Sequence, residues 1–203
     1  MNMKQPALTF LPVFLLTVHL GLAGLSAQTP AVPAPASQLG FAFEFQAYPT
    51  GLIPGVRADY FFGARHSLSA RAGYNWVRHG DQGVQDNEWG DGFGGSLGYR
   101  YFFRDGWTNW FLGARSDVWA NRMHWEDKDA NGQVTGSGLS KIVVVQPTAE
   151  GGYLFPLGKN GWFIAPSVAF GVEINVKTTG ADVGEGAIFL LGFSVGKFLH
   201  FTF

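Results

Sequence analysis

The sequence predicts an all-β fold, an eight-stranded antiparallel up-and-down transmembrane β-barrel, and three observations predict it. Eight segments alternate large apolar residues with small or polar ones at a period of two, as β-strands with one apolar face do. Only 14% of the 203 residues are charged and 16% are aromatic, a composition poorly suited to covering a soluble domain. Short and long connections alternate along the chain, which is typical of membrane barrels.

The first segment shows the alternation most clearly. Phe41, Phe43 and Phe45 share one face, and Glu44 and Gln46 share the other. Large side chains belong outside against lipid, and small or polar ones belong where side chains converge inside a narrow tube. The same pattern recurs in seven further segments, residues 55–62, 67–76, 93–103, 110–121, 143–153, 162–175 and 187–203. Pro147 lacks a backbone donor, so we expect a bulge at that position.

The connections predict how the strands are arranged. Three are short, at residues 63–66, 104–109 and 156–161. Three are long and polar, at residues 78–91, 122–138 and 177–186, and the first, at residues 48–54, is of medium length. Because only a closed sheet leaves no unpaired edge in lipid, we expect closure, with the short turns and both termini on one side.

The inward faces carry most of the charges within these segments. Nine side chains form this lumen set: Glu44, Arg57, Asp59, Arg71, Arg100, Arg115, Asp117, Glu150 and Glu173. Buried charges must be paired, so we expect a salt-bridge network that fills the bore, with Glu44 beside Arg57 and Asp59 beside Arg71. An ion or proton path, or a catalytic carboxylate site, stays open as the other interpretation of the same residues.

Large apolar side chains also face inward at the strand ends nearest the short turns. They are Phe61, Phe102, Phe111, Leu154, Phe163 and Phe198. Converging at one mouth, they predict a dry periplasmic plug, since eight strands leave a bore that side chains can just fill. We therefore expect no large open pore.

The N-terminal residues predict export. Residues 1–27 combine Lys4, an apolar stretch and small residues at Ser26 and Ala27, as in a secretory signal peptide. Residues 28–38 are rich in Pro and Ala and predict an extended periplasmic tether. The barrel then covers residues 39–203. Cysteine is absent, which excludes disulfides and thiol chemistry.

The end of the chain carries the most specific signal. Residues 195–203 (VGKFLHFTF) alternate apolar residues and close on phenylalanine, at Val195, Leu199, Phe201 and Phe203. With the strand pattern, this end resembles the small eight-stranded outer-membrane barrels, the group of the OmpA transmembrane domain and OmpX. The resemblance implies a Gram-negative outer membrane, both termini in the periplasm, and contacts with outer-membrane lipid, lipopolysaccharide and the outer-membrane assembly machinery.

Catalytic and metal motifs are weak, so we expect no enzyme activity and no cofactor. Asp127, Asp129 and Asn131 match the first half of an EF-type calcium loop, but Gly138 stands where a bidentate carboxylate is needed. A lipid A-modifying enzyme needs a Ser, a His and an acid together, and His124 has no Ser nearby. With 14 basic and 15 acidic residues, nucleic acid is not an expected partner.

The sequence therefore favours a non-catalytic protein of the cell surface, with a structural or surface-interaction role in adhesion or membrane integrity. A surface protein or glycan would be contacted through the loops. The alternative is a narrow channel or a conduit for small hydrophobic solutes, with Ile188 and Leu190 lining its upper lumen. A lipid A-modifying enzyme is the third candidate.

Overall fold

The computed structural model describes residues 37–199, and every regular element in that range is a β-strand. The predicted signal peptide, most of the predicted tether, Phe201 and Phe203 lie outside the described residues. Ser37 and Gln38, assigned to the tether from sequence, are the first residues of β1. The strands are β1 (Ser37–Tyr48), β2 (Gly51–Phe62), β3 (His66–Gly80), β4 (Asn87–Phe102), β5 (Trp110–Lys128), β6 (Val134–Tyr153), β7 (Phe155–Leu157), β8 (Trp162–Thr179) and β9 (Gly186–Leu199).

These strands close into a barrel. Antiparallel pairing runs from β6 back to β1, and β1 then pairs with β9 over a ladder that begins at Leu39 and Leu199. The short β7 follows β6 after Leu154, and both pair with β8, so they form one interrupted strand of the wall. The predicted eight-stranded, all-antiparallel barrel is therefore confirmed over the described residues. No helix within residues 37–199 is long and apolar enough to cross a membrane.

The predicted faces of the wall are also those of the structure. In β1, Phe41, Phe43 and Phe45 are exposed on the outside, and Glu44 and Gln46 are buried inside. In the other seven segments too, the residues expected to face outward are the more exposed ones, and those expected to face inward are the more buried ones. Because the bore of an eight-stranded barrel is narrow, inward side chains from all parts of the wall meet one another.

Two inward glycines make room for aromatic rings on neighbouring strands. Gly152 lies opposite Phe111, and Gly196 lies opposite Phe163. A Cβ atom on Gly152 would lie 2.6 Å from Cζ of Phe111, and one on Gly196 would lie 2.3 Å from Cζ of Phe163. Only glycine allows these rings to lie flat across the adjacent strand.

The barrel has two unlike ends, named here by their connections. At the turn end lie residues 63–65, 103–109 and 158–161 and both ends of the described range. At the loop end lie the hairpins β1–β2, β3–β4, β5–β6 and β8–β9. Outward aromatic rings form a belt near each end. The belt towards the loop end consists of Tyr74, Trp76 and Phe93, and its Tyr74 and Phe93 ring centroids are 4.6 Å apart.

At the loop end, the predicted long connections are mostly strand. The turns proper are residues 81–86, 129–133 and 180–185, and the predicted medium connection is the two-residue turn at residues 49–50. The hairpins extend past the lumen, so backbone pairing continues after the alternation of buried and exposed residues has ended. The expected loop lengths were wrong for this reason.

The β6–β8 ladder contains a register shift between Val143 and Val144, which leaves Val176 as an extra residue on β8. Pro147 lies in a part of the β5–β6 ladder that has no shift. The bulge expected at Pro147 was therefore wrong. The missing donor of a proline costs one ladder hydrogen bond without adding a residue, whereas a bulge requires an inserted residue.

Candidate functional site

The inward side chains form three layers along the barrel axis. Nearest the turn end lies an apolar cluster, the aromatic plug. Next comes a layer of charged side chains, the ionic layer, whose members are Glu44, Arg57, Asp59, Arg71, Arg100, Arg115, Asp117 and Glu150. Towards the loop end lies a second apolar cluster, the upper cluster, and each layer recruits residues from most strands of the wall.

Glu44 is the hub of the ionic layer. Its carboxylate accepts hydrogen bonds from Arg57, from Arg71 at 3.0 Å and from the Ser194 hydroxyl group at 3.2 Å. The amide of Gln46 donates a further hydrogen bond at 2.8 Å. A buried carboxylate is stable only when its lone pairs are used in this way. Glu44 thus ties β1 to β2, β3 and β9.

Glu150 and Asp117 complete the layer on the opposite wall. Arg100 donates two hydrogen bonds to the two oxygens of Glu150, at 2.6 and 3.1 Å, in the bidentate geometry that guanidinium groups favour. Arg115 donates to Asp117 at 2.8 Å and lies 3.6 Å from Glu150 and 3.7 Å from Glu44. Four guanidinium groups thus face four carboxylates, and the formal charge of the ionic layer is zero.

Aromatic rings cover the ionic layer on both sides. The guanidinium carbon of Arg100 lies 4.4 Å from the ring centroid of Phe111 in the aromatic plug. That of Arg71 lies 5.4 Å from the ring of Trp119 in the upper cluster. Cation–π contacts of this kind are strongest where water is excluded.

Two expectations about the lumen charges were wrong. Asp59 was expected beside Arg71, but the turn at residues 63–65 sets a register in which Asp59 lies opposite Ser69 and bonds Arg57 at 2.9 Å. Glu173 was expected in the ion-pair network, but among residues 37–199 no cationic nitrogen lies within 4.0 Å of its carboxylate. It lies on the loop-end side of the ionic layer and accepts a hydrogen bond from Gln146 at 2.8 Å.

All six residues expected at the turn-end mouth pack together in the aromatic plug. Phe61 lies at its centre, with ring centroids 5.1 Å from both Phe198 and Trp107. Trp107 was missed from sequence because it belongs to a turn, where no alternation marks the inward side chains. Asn109 holds this turn by bonding the backbone of Arg104 in both directions. The plug consists of Ala42, Phe61, Phe102, Trp107, Phe111, Leu154, Phe163, Ala165 and Phe198.

The upper cluster was not anticipated as a unit. Trp119 is fully buried at its base and donates a hydrogen bond to Gln146 at 2.8 Å. Ile188 and Leu190, considered as the lining of a conduit, are buried side chains of this cluster. Its members are Tyr48, Ile53, Val77, Trp119, Met123, Ile142, Val144, Ala169, Val183, Ile188 and Leu190.

A buried carboxylate ties two hairpins together at the loop end, beyond the aromatic belt. Glu88 accepts hydrogen bonds from the backbone amides of Val84, Gln85 and Gly184 at 2.7, 3.0 and 3.2 Å, and its Oε2 lies 2.8 Å from Nδ1 of His79. Burial raises the pKa of Glu88, but the hydrogen bonds outweigh it and hold the pKa below its usual value. The β3–β4 and β8–β9 turns are thereby joined above the upper cluster.

The β5–β6 hairpin extends farthest from the wall and contains the calcium candidates. Asp129 accepts hydrogen bonds from the backbone amides of Asn131 and Gln133, both at 2.9 Å, and so stabilises the turn itself. Gly132 has φ +79°, which only glycine adopts freely. The described residues contain no cluster of three or more His, Cys, Asp or Glu side chains arranged to hold a metal ion. Asp127, Asp129 and Asn131 therefore act as parts of a hairpin in this structure.

Of the expected assembly signal, Val195 and Leu199 lie on β9, the strand that closes the barrel against β1. Val195 points outward and is partly exposed, opposite Phe43. Phe201 and Phe203 lie outside the described residues, so the complete signal stays a prediction.

No protein-family model and no curated protein matches this chain. The solved structures that are similar to it include three that each cover 79% of the chain. The N-terminal β-barrel domain of Pseudomonas aeruginosa OprF is 13% identical (TM-score 0.44, 97% of that chain covered). Neisserial surface protein A is 12% identical (0.42, 94% covered). Ail, the attachment invasion locus protein of Yersinia pestis, solved with the heparin analogue sucrose octasulfate, is 8% identical (0.41, 97% covered). The chain thus resembles outer-membrane β-barrels, and at these identities the likeness concerns the fold alone.

Proposed function

We propose that this chain is an integral outer-membrane protein whose barrel is a sealed, non-catalytic scaffold for surface interaction. The observation that carries the proposal is the composition of the lumen. Among residues 37–199, a neutral ionic layer lies between two apolar clusters, and its charged side chains are buried and paired with one another. The polar hairpins of the loop end are then the part of the protein available to partners.

The orientation in the membrane is part of this proposal. The turn end, with its short connections and both ends of the barrel, faces the periplasm, and the loop end faces the exterior. Outward aromatic rings near each end support two interfaces with lipid headgroups. On the turn-end side these rings include Phe103, Trp110, Phe155 and Trp162, all exposed on the wall.

The β5–β6 hairpin is the element that we assign to contact with a surface protein or glycan. Its ladder continues from Ala120, level with Phe93, to Lys128 and Val134, about 25 Å at the usual rise per residue. Val134 and Leu139 expose apolar surface on this projecting ladder. A rigid, projecting hairpin loses little conformational entropy when it binds.

A narrow conduit, the alternative function, finds less support. Its expected lining residues Ile188 and Leu190 are packed among other apolar side chains rather than around a path. A lipid A-modifying enzyme is also less well supported, since His124 stacks against Trp89, with ring centroids 5.6 Å apart, and within residues 37–199 it makes no hydrogen bond to a Ser.

Planar-bilayer recording tests the sealed lumen. We expect the full chain to give no stable conductance steps, and we expect the same of a triple variant, Phe61→Ala, Phe102→Ala and Phe198→Ala, because the ionic layer and upper cluster still close the bore. Regular steps from the unmodified chain would contradict the sealed scaffold. Steps from the triple variant alone would support the narrow conduit with the aromatic plug as its gate.

A shortened hairpin tests the surface role. Joining Glu126 to Ser137, which lie directly opposite each other, through an Asn-Gly turn removes residues 127–136 and keeps the rest of the ladder. We expect heat-modifiable gel migration to be unchanged and adherence of expressing cells to immobilised host-surface proteins or glycans to be lost. Lys159→Gln at the turn end is the control. If adherence and envelope integrity both survive deletion of the whole chain, the proposed role is wrong.

A further inference from the structure

Three cationic side chains lie together on the outside of the wall at the loop-end belt. Arg122 on β5 lies directly opposite Lys141 on β6, and Lys177 on β8 lies opposite Val143, two residues from Lys141. All three are exposed and point away from the lumen. The set Arg122, Lys141 and Lys177 is called the cation groove below.

The β8 bulge is what brings Lys177 into this set. Glu173 and Asn175 face the lumen side, where Asn175 donates to the carbonyl oxygen of Val183 at 2.9 Å. Strict alternation would therefore turn Lys177 inward as well. The extra residue Val176 shifts the inward–outward alternation by one position, so Lys177 lies on the outside, opposite Val143.

The cations of the groove are unpaired, in contrast to those of the lumen. Within residues 37–199, no carboxylate oxygen lies within 4.0 Å of a side-chain nitrogen of Arg122, Lys141 or Lys177. One acid is near: Asp91 lies opposite Arg122 on β4, and it interacts with the Tyr74 hydroxyl group. With three cations and this one acid, the groove keeps a formal charge of +2.

The site is a partly open pocket between side chains of the outer wall. Its volume is about 590 Å³, and beside the charged groups it is lined by Tyr74, Phe93, Ala120 and Ile142. Apolar wall follows directly on the turn-end side, where Val118 lies opposite Val145 and Val145 opposite Ile174. Cations above an aromatic belt, with hydrocarbon-compatible surface below, match an anionic headgroup that carries acyl chains.

We propose that the cation groove binds the phosphate group of a phosphorylated membrane glycolipid, with the acyl chains lying along Val118, Val145 and Ile174. This inference rests on the proposed function, because it requires the loop-end belt to lie at a lipid headgroup layer. Arg122 supplies a planar guanidinium for two oxygens of the phosphate, and the lysines supply point charges on its other side. The lipid then neutralises a cluster of cations that has no carboxylate partner within residues 37–199.

Titration of fluorescent lipid A into the purified full chain in detergent micelles tests the inference. We expect a triple variant, Arg122→Gln, Lys141→Gln and Lys177→Gln, to bind at least tenfold more weakly than the unmodified chain. The matched control removes three exposed cations elsewhere, Arg104→Gln, Lys128→Gln and Lys159→Gln, and should bind normally. Lys177→Gln alone should give an intermediate loss, which keeps the test informative if the triple variant folds poorly.

Two further arms identify the source of the phosphate. Lipid A without its phosphates should bind the unmodified chain as weakly as the triple variant binds intact lipid A. Inorganic phosphate should compete only at concentrations far above those of lipid A. Equal affinity for inorganic phosphate would overturn a lipid site, and equal lipid A binding by the groove and control variants would overturn the groove. Heat-modifiable migration of every variant reports barrel insertion separately, so failure of the proposed function is recognised independently.

Discussion

The lumen and the outer wall treat positive charge in opposite ways. Inside, Arg57, Arg71, Arg100 and Arg115 each lie within ion-pair distance of a carboxylate of the ionic layer. Outside, no carboxylate oxygen among the described residues lies within 4.0 Å of a side-chain nitrogen of the cation groove, and Asp91 is the one acid beside it. Desolvated charge must be neutralised by the protein itself, whereas charge at an interface is free to be neutralised by something else. The difference separates the charges that hold the barrel together from those available to a ligand.

The largest expected effect comes from breaking a lumen pair. Glu150→Gln leaves Arg100 and Arg115 without their shared carboxylate. We expect a loss of about 3 to 5 kcal/mol in the free energy of unfolding, since an uncompensated buried charge remains. Urea unfolding in micelles, followed by tryptophan fluorescence, measures it.

Two controls define that result. Glu173→Gln, outside the ionic layer, should change stability far less. Replacing both partners, Arg100→Met with Glu150→Met, should recover most of the loss because no charge is left unpaired. A Glu150→Gln chain as stable as the unmodified one would contradict the assignment of Glu150 to a buried pair.

The next largest effect concerns shape rather than charge. Gly152→Ala places a methyl group 2.5 Å from the carbonyl oxygen of Pro166 and 2.6 Å from Phe111 in the aromatic plug. We expect a loss of about 1 to 3 kcal/mol from overpacking. The neighbouring Gly151→Ala is a matched control, because its Cβ atom would meet nothing closer than 3.8 Å. Equal stability of the two variants would show that the plug adapts.

A smaller, local effect is expected where a buried acid is held by amides instead of cations. The pKa of Glu88 is lower in the folded state than in the unfolded chain. Its contribution is therefore complete above the unfolded pKa and is lost as pH falls through the folded pKa. Hydrogen exchange of residues 81–86 and 180–185 should rise below about pH 4.5, the ordinary value for this group. Glu88→Gln should exchange faster at neutral pH and lose that dependence; unchanged exchange would show that Glu88 does not join the turns.

The smallest expected effect on stability comes from removing a charge of the cation groove on the outer wall. Arg122→Gln removes an unpaired exterior charge, so we expect the free energy of unfolding to change by no more than about 0.5 kcal/mol. The same urea titration used for Glu150→Gln measures it. A loss comparable to that of Glu150→Gln would mean that Arg122 has a structural partner and that the contrast between the two regions is wrong.

The wall of the barrel was predictable because the outer face and the lumen impose opposite demands on alternate residues. The face on which Phe41 and Glu44 lie follows from the odd–even alternation of the sequence alone. The loop-end hairpins were not predictable in this way, since they extend past the lumen, where alternate residues no longer face two different environments. Backbone pairing there continues to Gly80 and Lys128 without an apolar signal.

The lumen was only partly predictable, for reasons of register and local insertion. The alternation pattern correctly placed Asp59 and Arg71 on the inward face, but the length of the β2–β3 turn decides which inward residues lie side by side. Trp119 could have been found, because it shares parity with Asp117 and lies opposite a glycine, Gly94. Trp107 lies in a turn and Lys177 follows a bulge, so the alternation pattern does not reveal which way either side chain points. Only the structure shows their positions.

The seam between β1 and β9 joins the first strand of the wall to the last. Leu39 cannot meet Leu199 until the whole wall has been synthesised, so no shorter piece of the described wall can complete its hydrogen bonding. Until the barrel closes, β1 and β9 are edge strands whose unpaired backbone groups are open to hydrogen bonding with other chains. Closure of the barrel is therefore a single late event that needs both the first and the last strand of the wall.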